Sequence, residues 1–164
     1  AAFAEDFKNA FAKLLACGTP ASCSHFAKQA KSASDQFRDY AMHGSMEKVM
    51  KFHSEGADVN SADVSGRTAL HYAAFWGHEH VIKYLIDTCH VNVNKQDSLG
   101  DTPAHDAARF AHCGCTSALI AAGADLTITN KDGMTPLAVA EEHASTSTAN
   151  KHDEVIALLK AACK

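Results

Sequence analysis

The sequence has no excess of basic residues. Lys and Arg number 15 against 19 Asp and Glu, a formal net charge of −4 with histidine neutral. That balance gives no footing for a nucleic-acid surface, where a basic patch or stripe is the usual sign. No apolar run approaches the roughly 18 residues that would suggest a membrane span. The opening stretch AAFAEDFKNAFAKLLACG carries acidic side chains and no basic leader, so no secretory signal is expected there. No Walker-type phosphate loop occurs, and no nucleophile, base and orienting group can be named as a set. Catalysis and a cofactor are therefore not expected.

What is present is ordinary in bulk. Hydrophobic residues make up 46% and charged residues 21%, which suits a globular chain, and 164 residues suit one compact domain or one short repeat array. Six cysteines occur, Cys17, Cys23, Cys89, Cys113, Cys115 and Cys163. An even count permits disulfides, but a chain of this length and core content does not need them. Free thiols in a reducing compartment, hence a cytoplasmic location, are expected.

One stretch, GRTALHYAAFWGHEHVIKYLI (66–86), concentrates His71, His78, His80 and Glu79 beside Trp76 and invites a reading as a metal or catalytic site. Its recurrence argues otherwise. DVSGRTALHYAA (63–74) returns as DSLGDTPAHDAA (97–108) and more loosely as NKDGMTPLAVA (130–140), with glycines at 66, 100 and 133. VMKFHSEGADVN (49–60) shares its ending with later units, and Gly44 precedes Gly77 by 33 residues. Self-similarity at such a period marks a stacked repeat. His71 and His105 occupy equivalent places, so a framework imidazole bonding to backbone and threonine near the turn is expected rather than a ligand. His78 and His80 project about 200° apart on a helix and cannot share one metal.

The unit also makes local physical sense. Thr68, Thr102 and Thr135 stand where a hydroxyl caps a starting helix. Pro103 and Pro136 follow at the first helical position, where a missing N–H costs nothing. Ala73, Ala74, Ala107 and Ala108 are small enough for close helix approach. Val81, Ile82, Leu85 and Ile86 form the apolar face of a second helix, which only stacking can bury.

These motifs, Gly-x-Thr-Ala-Leu-His at 66–71, Gly-x-Thr-Pro at 100–103 and 133–136, Gly-His at 77–78, and Gly-Ala-Asp at 56–58 and 123–125, closely resemble the ankyrin-repeat family over about 37–164. The resemblance implies an all-α solenoid of antiparallel helix pairs with short β-hairpin-like fingers, whose concave side binds other proteins. Units are expected at about 37–62, 63–96, 97–129 and 130–164, the first divergent and the last interrupted. In the fourth unit Ala138 replaces the framework histidine. Residues 1–36 carry Phe3, Phe7 and Phe11 at helical spacing and are expected to form an N-terminal helical cap. SerThrSerThrAlaAsn at 145–150 suggests a surface loop. The CHVNVN ending of the second unit is one residue longer than its counterparts, a loop variation that places Cys89 and His90 near the Gly-Ala of the others.

AHCGC (111–115) could bind zinc or sense oxidants through His112, Cys113 and Cys115. Register opposes this, since Cys115 falls where Val81 is buried and Cys113 where Glu79 lies. The sensor is the alternative to the main reading, a non-catalytic module that binds a protein on its concave face. The positions that vary between framework residues are expected to meet that partner. On the fingers these are Val64, Ser65, Arg67, Ser98, Leu99, Asp101 and Met134, with Lys131 and Asp132. At the ends of the first helices they are Met42, His43, Phe75, Trp76, Arg109 and Phe110, with Glu141 and Glu142. Trp76, Phe75, Phe110 and Arg109 are residue types favoured at hot spots. Neither nucleic acid nor membrane is expected as a partner, and the chain is expected to be a monomer.

Overall fold

The computed structural model describes residues 31–146 and 151–163. The expected N-terminal cap falls almost wholly on residues 1–30 and lies outside them. Among the described residues eight helices follow one another: α1 Ala33–Met42, α2 Met46–Ser54, α3 Ala69–Trp76, α4 Glu79–Asp87, α5 Pro103–Arg109, α6 Cys113–Ala121, α7 Pro136–Thr146 and α8 Lys151–Ala162. No strand occurs among the described residues. Odd-numbered helices stack on one another in one layer and even-numbered helices in a second, each pair being an antiparallel hairpin. The core lies between the layers. Leu70, Val81, Ile82, Leu85, Cys115, Leu119, Val155 and Leu159 are fully buried there, and the alanines of the first helices allow close approach in the other layer.

Each finger folds on itself around one Asx side chain. Asp63 Oδ1 accepts the N–H groups of Ser65 and Arg67 at 2.8 and 3.0 Å. Asp97 does the same for Leu99 and Asp101, and Asn130 for Asp132 and Met134. Neighbouring fingers are joined through backbone: Ser98 N–H donates to the Ser65 carbonyl at 2.8 Å and Lys131 N–H to that of Leu99 at 2.9 Å.

Two sets of histidines tie the units. In the first, Thr68 N–H donates to His71 Nδ1 at 3.2 Å, and Thr68 Oγ1 lies 2.9 Å from the same nitrogen. His71 Nε2 reaches the Asp101 carbonyl of the next finger at 3.2 Å. His105 repeats this with Thr102 and with the Met134 carbonyl at 3.0 Å. An Nδ1 that accepts and an Nε2 that donates define the neutral Nε2–H tautomer. In the fourth unit Ala138 has no ring to accept the threonine N–H or to reach onward; its own N–H donates to Thr135 Oγ1 at 3.3 Å, the half of the cap that His71 and His105 also make through backbone. In the second set, the residues opening the even-numbered helices reach backward. His78 Nε2 donates to the Met42 carbonyl at 2.9 Å, His112 to Phe75 at 3.0 Å and His152 to Arg109 at 3.1 Å.

Those backward rings need room at the preceding turn. A Cβ on Gly77, whose φ is +76°, would stand 2.7 Å from the His112 ring. Ala111 takes the equivalent turn position at φ +55° and His90 the one after α4 at φ +50°. Val91, not His90, replaces the alanine of the other units, because its N–H closes back on Leu85 as Ala57 does on Phe52 and Ala124 on Leu119. At the fourth unit, α7 continues through Ser145 to Thr146, so the expected loop is helical at its start; residues 147–150 lie outside the described ones.

Left-handed backbone costs a non-glycine residue about 1–2 kcal/mol, part of which glycine returns through unfolded-state entropy. Ala111→Gly should therefore stabilise the chain by about 0.5–1 kcal/mol. Gly77→Ala should destabilise it by about 2 kcal/mol or more, strain and overpacking together. Urea unfolding of both variants checks this, and equal effects of the two would contradict the strain assigned to the turns.

Candidate protein-interaction surface

The first-helix layer and the fingers carry most of the exposed large apolar side chains. Val64 is fully exposed, Trp76 and Leu99 are each 56% exposed and Phe110 42%. Trp76 and Phe110 follow the last small core alanine of α3 and α5, at the turn where the framework requires no large side chain. Phe75 is half-buried and central: its ring lies 4.3 Å from Phe110, 5.4 Å from Trp76 and 5.3 Å from the Arg67 guanidinium. Four of the expected residues, Arg67, Phe75, Trp76 and Phe110, thus form one continuous cluster across two units. The other positions are placed separately. Ser65, Ser98 and His43 are exposed, Met42 and Met134 half-buried, and His43 Nδ1 turns back onto the Asp39 carbonyl at 2.6 Å.

Asp101 departs from its expected exposure. It is 1% exposed, because Arg109 Nη2 reaches its Oδ2 at 2.8 Å and Asn130 Nδ2 its Oδ1 at 2.9 Å. It therefore organises the finger from within. A second buried pairing lies beside it. Arg67 binds both Asp97 and Asp106 at 3.1 Å, and Asp106 is wholly buried with Oδ2 lacking a partner. Burial, against the attraction of Arg67 and with the repulsion of the Asp101 carboxylate, pushes the Asp106 carboxyl up to about 7. Nothing along the chain distinguishes Asp106, since its register position holds Tyr72 one unit earlier; the finger that delivers Arg67 is 39 residues away.

The AHCGC side chains do not converge. Cys115 is buried in the core and its thiol is pushed up to about 12 by burial. Cys113 sits in a cavity of about 310 Å³ lined by Gly77, Glu79, Lys151 and Glu154 among others. Its Sγ donates to Glu154 Oε2 at 3.3 Å, and burial followed by that bond raises its pKa, the opposite of an activated thiolate. His112 is spent on the Phe75 carbonyl, not on Cys113. Among the described residues no group of three His, Cys, Asp or Glu side chains is placed to hold a metal ion. Cys89, Cys113, Cys115 and Cys163 are free thiols.

The buried groups set opposite pH trends. Asp106, raised from 3.8 to about 7, costs stability above that value and is relieved as pH falls. His71, His105 and His112 are lowered from 6.5, chiefly by burial. Their contribution is complete above 6.5 and is lost as pH falls below it. Asp106→Asn removes the first trend. Its stability relative to the parent should be greater at pH 8 than at pH 5 by at least about 1.4 kcal/mol, the equivalent of one pKa unit. The variant itself should lose stability steadily on acidification. Urea unfolding across this range measures both; a parent–variant difference independent of pH would show that Asp106 stays ionised.

Three ankyrin repeats of the Ank_2 family model match residues 38–130. The chain is 39% identical over 72 residues to the mitochondrial liver isoform of glutaminase from Rattus norvegicus, covering 44% of this chain but 12% of the relative. It is 41% identical over 81 residues to ankyrin repeat domain-containing protein 37 of Xenopus tropicalis, 49% of each chain. With a putative ankyrin repeat protein of Rickettsia bellii it shares 33% identity over 112 residues, 68% of this chain and 58% of the relative. The chain thus spans only about a tenth of the glutaminases it matches, and the shared part is a minor segment of those proteins. No helix among the described residues is long and apolar enough to cross a membrane. With the repeat model, the paired helices, the fingers and the recurrent Thr–His caps in agreement, the chain belongs to the ankyrin-repeat family, and its repeats are a protein–protein interaction module.

Proposed function

We propose that the chain is a non-catalytic, monomeric interaction module that binds a protein partner across the fingers and the ends of the first helices of units 37–62, 63–96, 97–129 and 130–164, with residues 1–36 as a cap. The partner-facing set is Val64, Ser65, Arg67, Phe75, Trp76, Ser98, Leu99, Arg109, Phe110 and Met134, with Met42 and His43 at its edge. The observation that carries this reading is the Arg67–Phe75–Trp76–Phe110 cluster. Trp76 and Phe110 are left exposed around the half-buried Phe75 ring and the Arg67 guanidinium against it, and that composition is typical of binding hot spots. The free thiols support a reducing, cytoplasmic setting.

Trp76 is the only tryptophan in the chain, so its emission reports on the surface directly. Affinity capture from a cell extract on the intact chain and on Trp76→Ala in parallel should yield a protein retained by the first and lost by the second. The recovered partner should shift the Trp76 emission to shorter wavelength, and Trp76→Ala should weaken it by about 2 kcal/mol or more. Stability should fall by much less than the ~3–5 kcal/mol of an emptied core site. A large stability loss with affinity intact would make Trp76 a packing residue and overturn the proposed surface.

A further inference from the structure

We infer that the partner's contact segment is basic, with an arginine or lysine seated against the exposed face of Trp76. The inference rests on the surface proposed above. Its observation is where the charge of this protein lies. The fingers and first helices of the last three units, residues 63–76, 97–110 and 130–142, hold seven carboxylates and three cations. Their balance of −4 equals the formal charge of the whole 164-residue chain, and the remaining 12 acids and 12 bases cancel. The formal excess of acid thus falls on the layer that also exposes Val64, Trp76, Leu99 and Phe110; Asp97, Asp101 and Asp106 are buried in it, and Asp132, Glu141 and Glu142 are the acids it exposes.

The structure further shows that both arginines of this layer are already engaged. Arg67 is held between Asp97 and Asp106, and Arg109 is held by Asp101. Both arginine side chains are mostly covered, at 18% and 23% exposure. Neither is available to pair with an acidic ligand. At the fourth unit, Asp132, Glu141 and Glu142 are exposed and Lys131 is the exposed cation beside them; Glu141 bonds Lys160 at 2.8 Å. An approaching segment thus meets aromatic faces at the second and third units and an acidic end at the fourth. A cation over an indole gains from the ring quadrupole, and a field of one sign both accelerates encounter and selects against like charge. Phosphate-bearing partners, a nucleic-acid backbone or an anionic bilayer, meet repulsion on the same face.

A random-peptide display library panned on the intact chain tests this, with Trp76→Ala and the double variant Asp132→Asn/Glu142→Gln panned in parallel. Binding of enriched peptides is then measured by anisotropy of a label on the peptide. Peptides that depend on Trp76 should carry net positive charge and weaken about tenfold between about 0.05 and about 0.3 M salt. They should also weaken severalfold on the double variant. Trp76-dependent peptides that are neutral or acidic, or whose affinity ignores both salt and the double variant, would overturn the basic partner and leave the interaction surface standing. A library that yields only peptides indifferent to Trp76, or none, would overturn the surface as well.

Discussion

Neutral imidazole at two buried positions holds this array in register. A starting helix leaves orphan N–H groups, and a finger turned on itself leaves a carbonyl aimed at its neighbour. His71 and His105 meet both needs with one ring: Nδ1 accepts from the threonine at the head of its own helix, and Nε2–H donates to the next finger. Only one tautomer serves both sides. A protonated ring would present two donors and set one of them against the threonine N–H, which is why burial and function of these rings are inseparable. The forward tie ends at Ala138, which has no ring to extend it and keeps the bond from its own N–H to the Thr135 hydroxyl.

The backward ties of His78, His112 and His152 act on the opposite end of the first helices. They hold the carbonyls of Met42, Phe75 and Arg109, the residues next to the exposed His43, Trp76 and Phe110. The proposed contact side chains therefore stand on backbone already fixed by a hydrogen bond from the following unit. Preorganisation of this kind lowers the entropic cost of binding. Beneath the aromatic cluster, Asp97, Asp101 and Asp106 with Arg67 and Arg109 tie fingers to one another and to helices, and Asp106 leaves one oxygen unmatched. Retaining such a group is costly in stability; it lies directly under the residues proposed to meet a partner.

Much of this was legible along the chain because a repeat displays its own alignment. The glycine spacing, the threonine–proline pair and the periodic apolar faces are local signals, and they give the helix starts and the two layers. The equivalence of Cys115 with Val81 likewise read the cysteine as core, and it is buried. The pairing of His71 with threonine followed from its recurrence. Other features had no local signal. Asp101 reads as a variable finger position, and only the approach of Arg109 and Asn130 from two other elements buries it. The backward histidines look like ordinary helix-opening residues, because their acceptors lie 36 to 43 residues earlier.

The sequence by itself determined the period, the family, the helix pairs and which apolar faces must be buried, since those depend on spacing of 3.6 residues and on caps within a few positions. Tertiary structure alone decided which polar residues are interior and which aromatic residues remain outside. Whether an aspartate is a surface charge or a buried staple depends on a guanidinium brought from a neighbouring unit. Whether Trp76 is core or contact depends on whether the next unit covers it. Both are properties of stacking, and no single unit contains them.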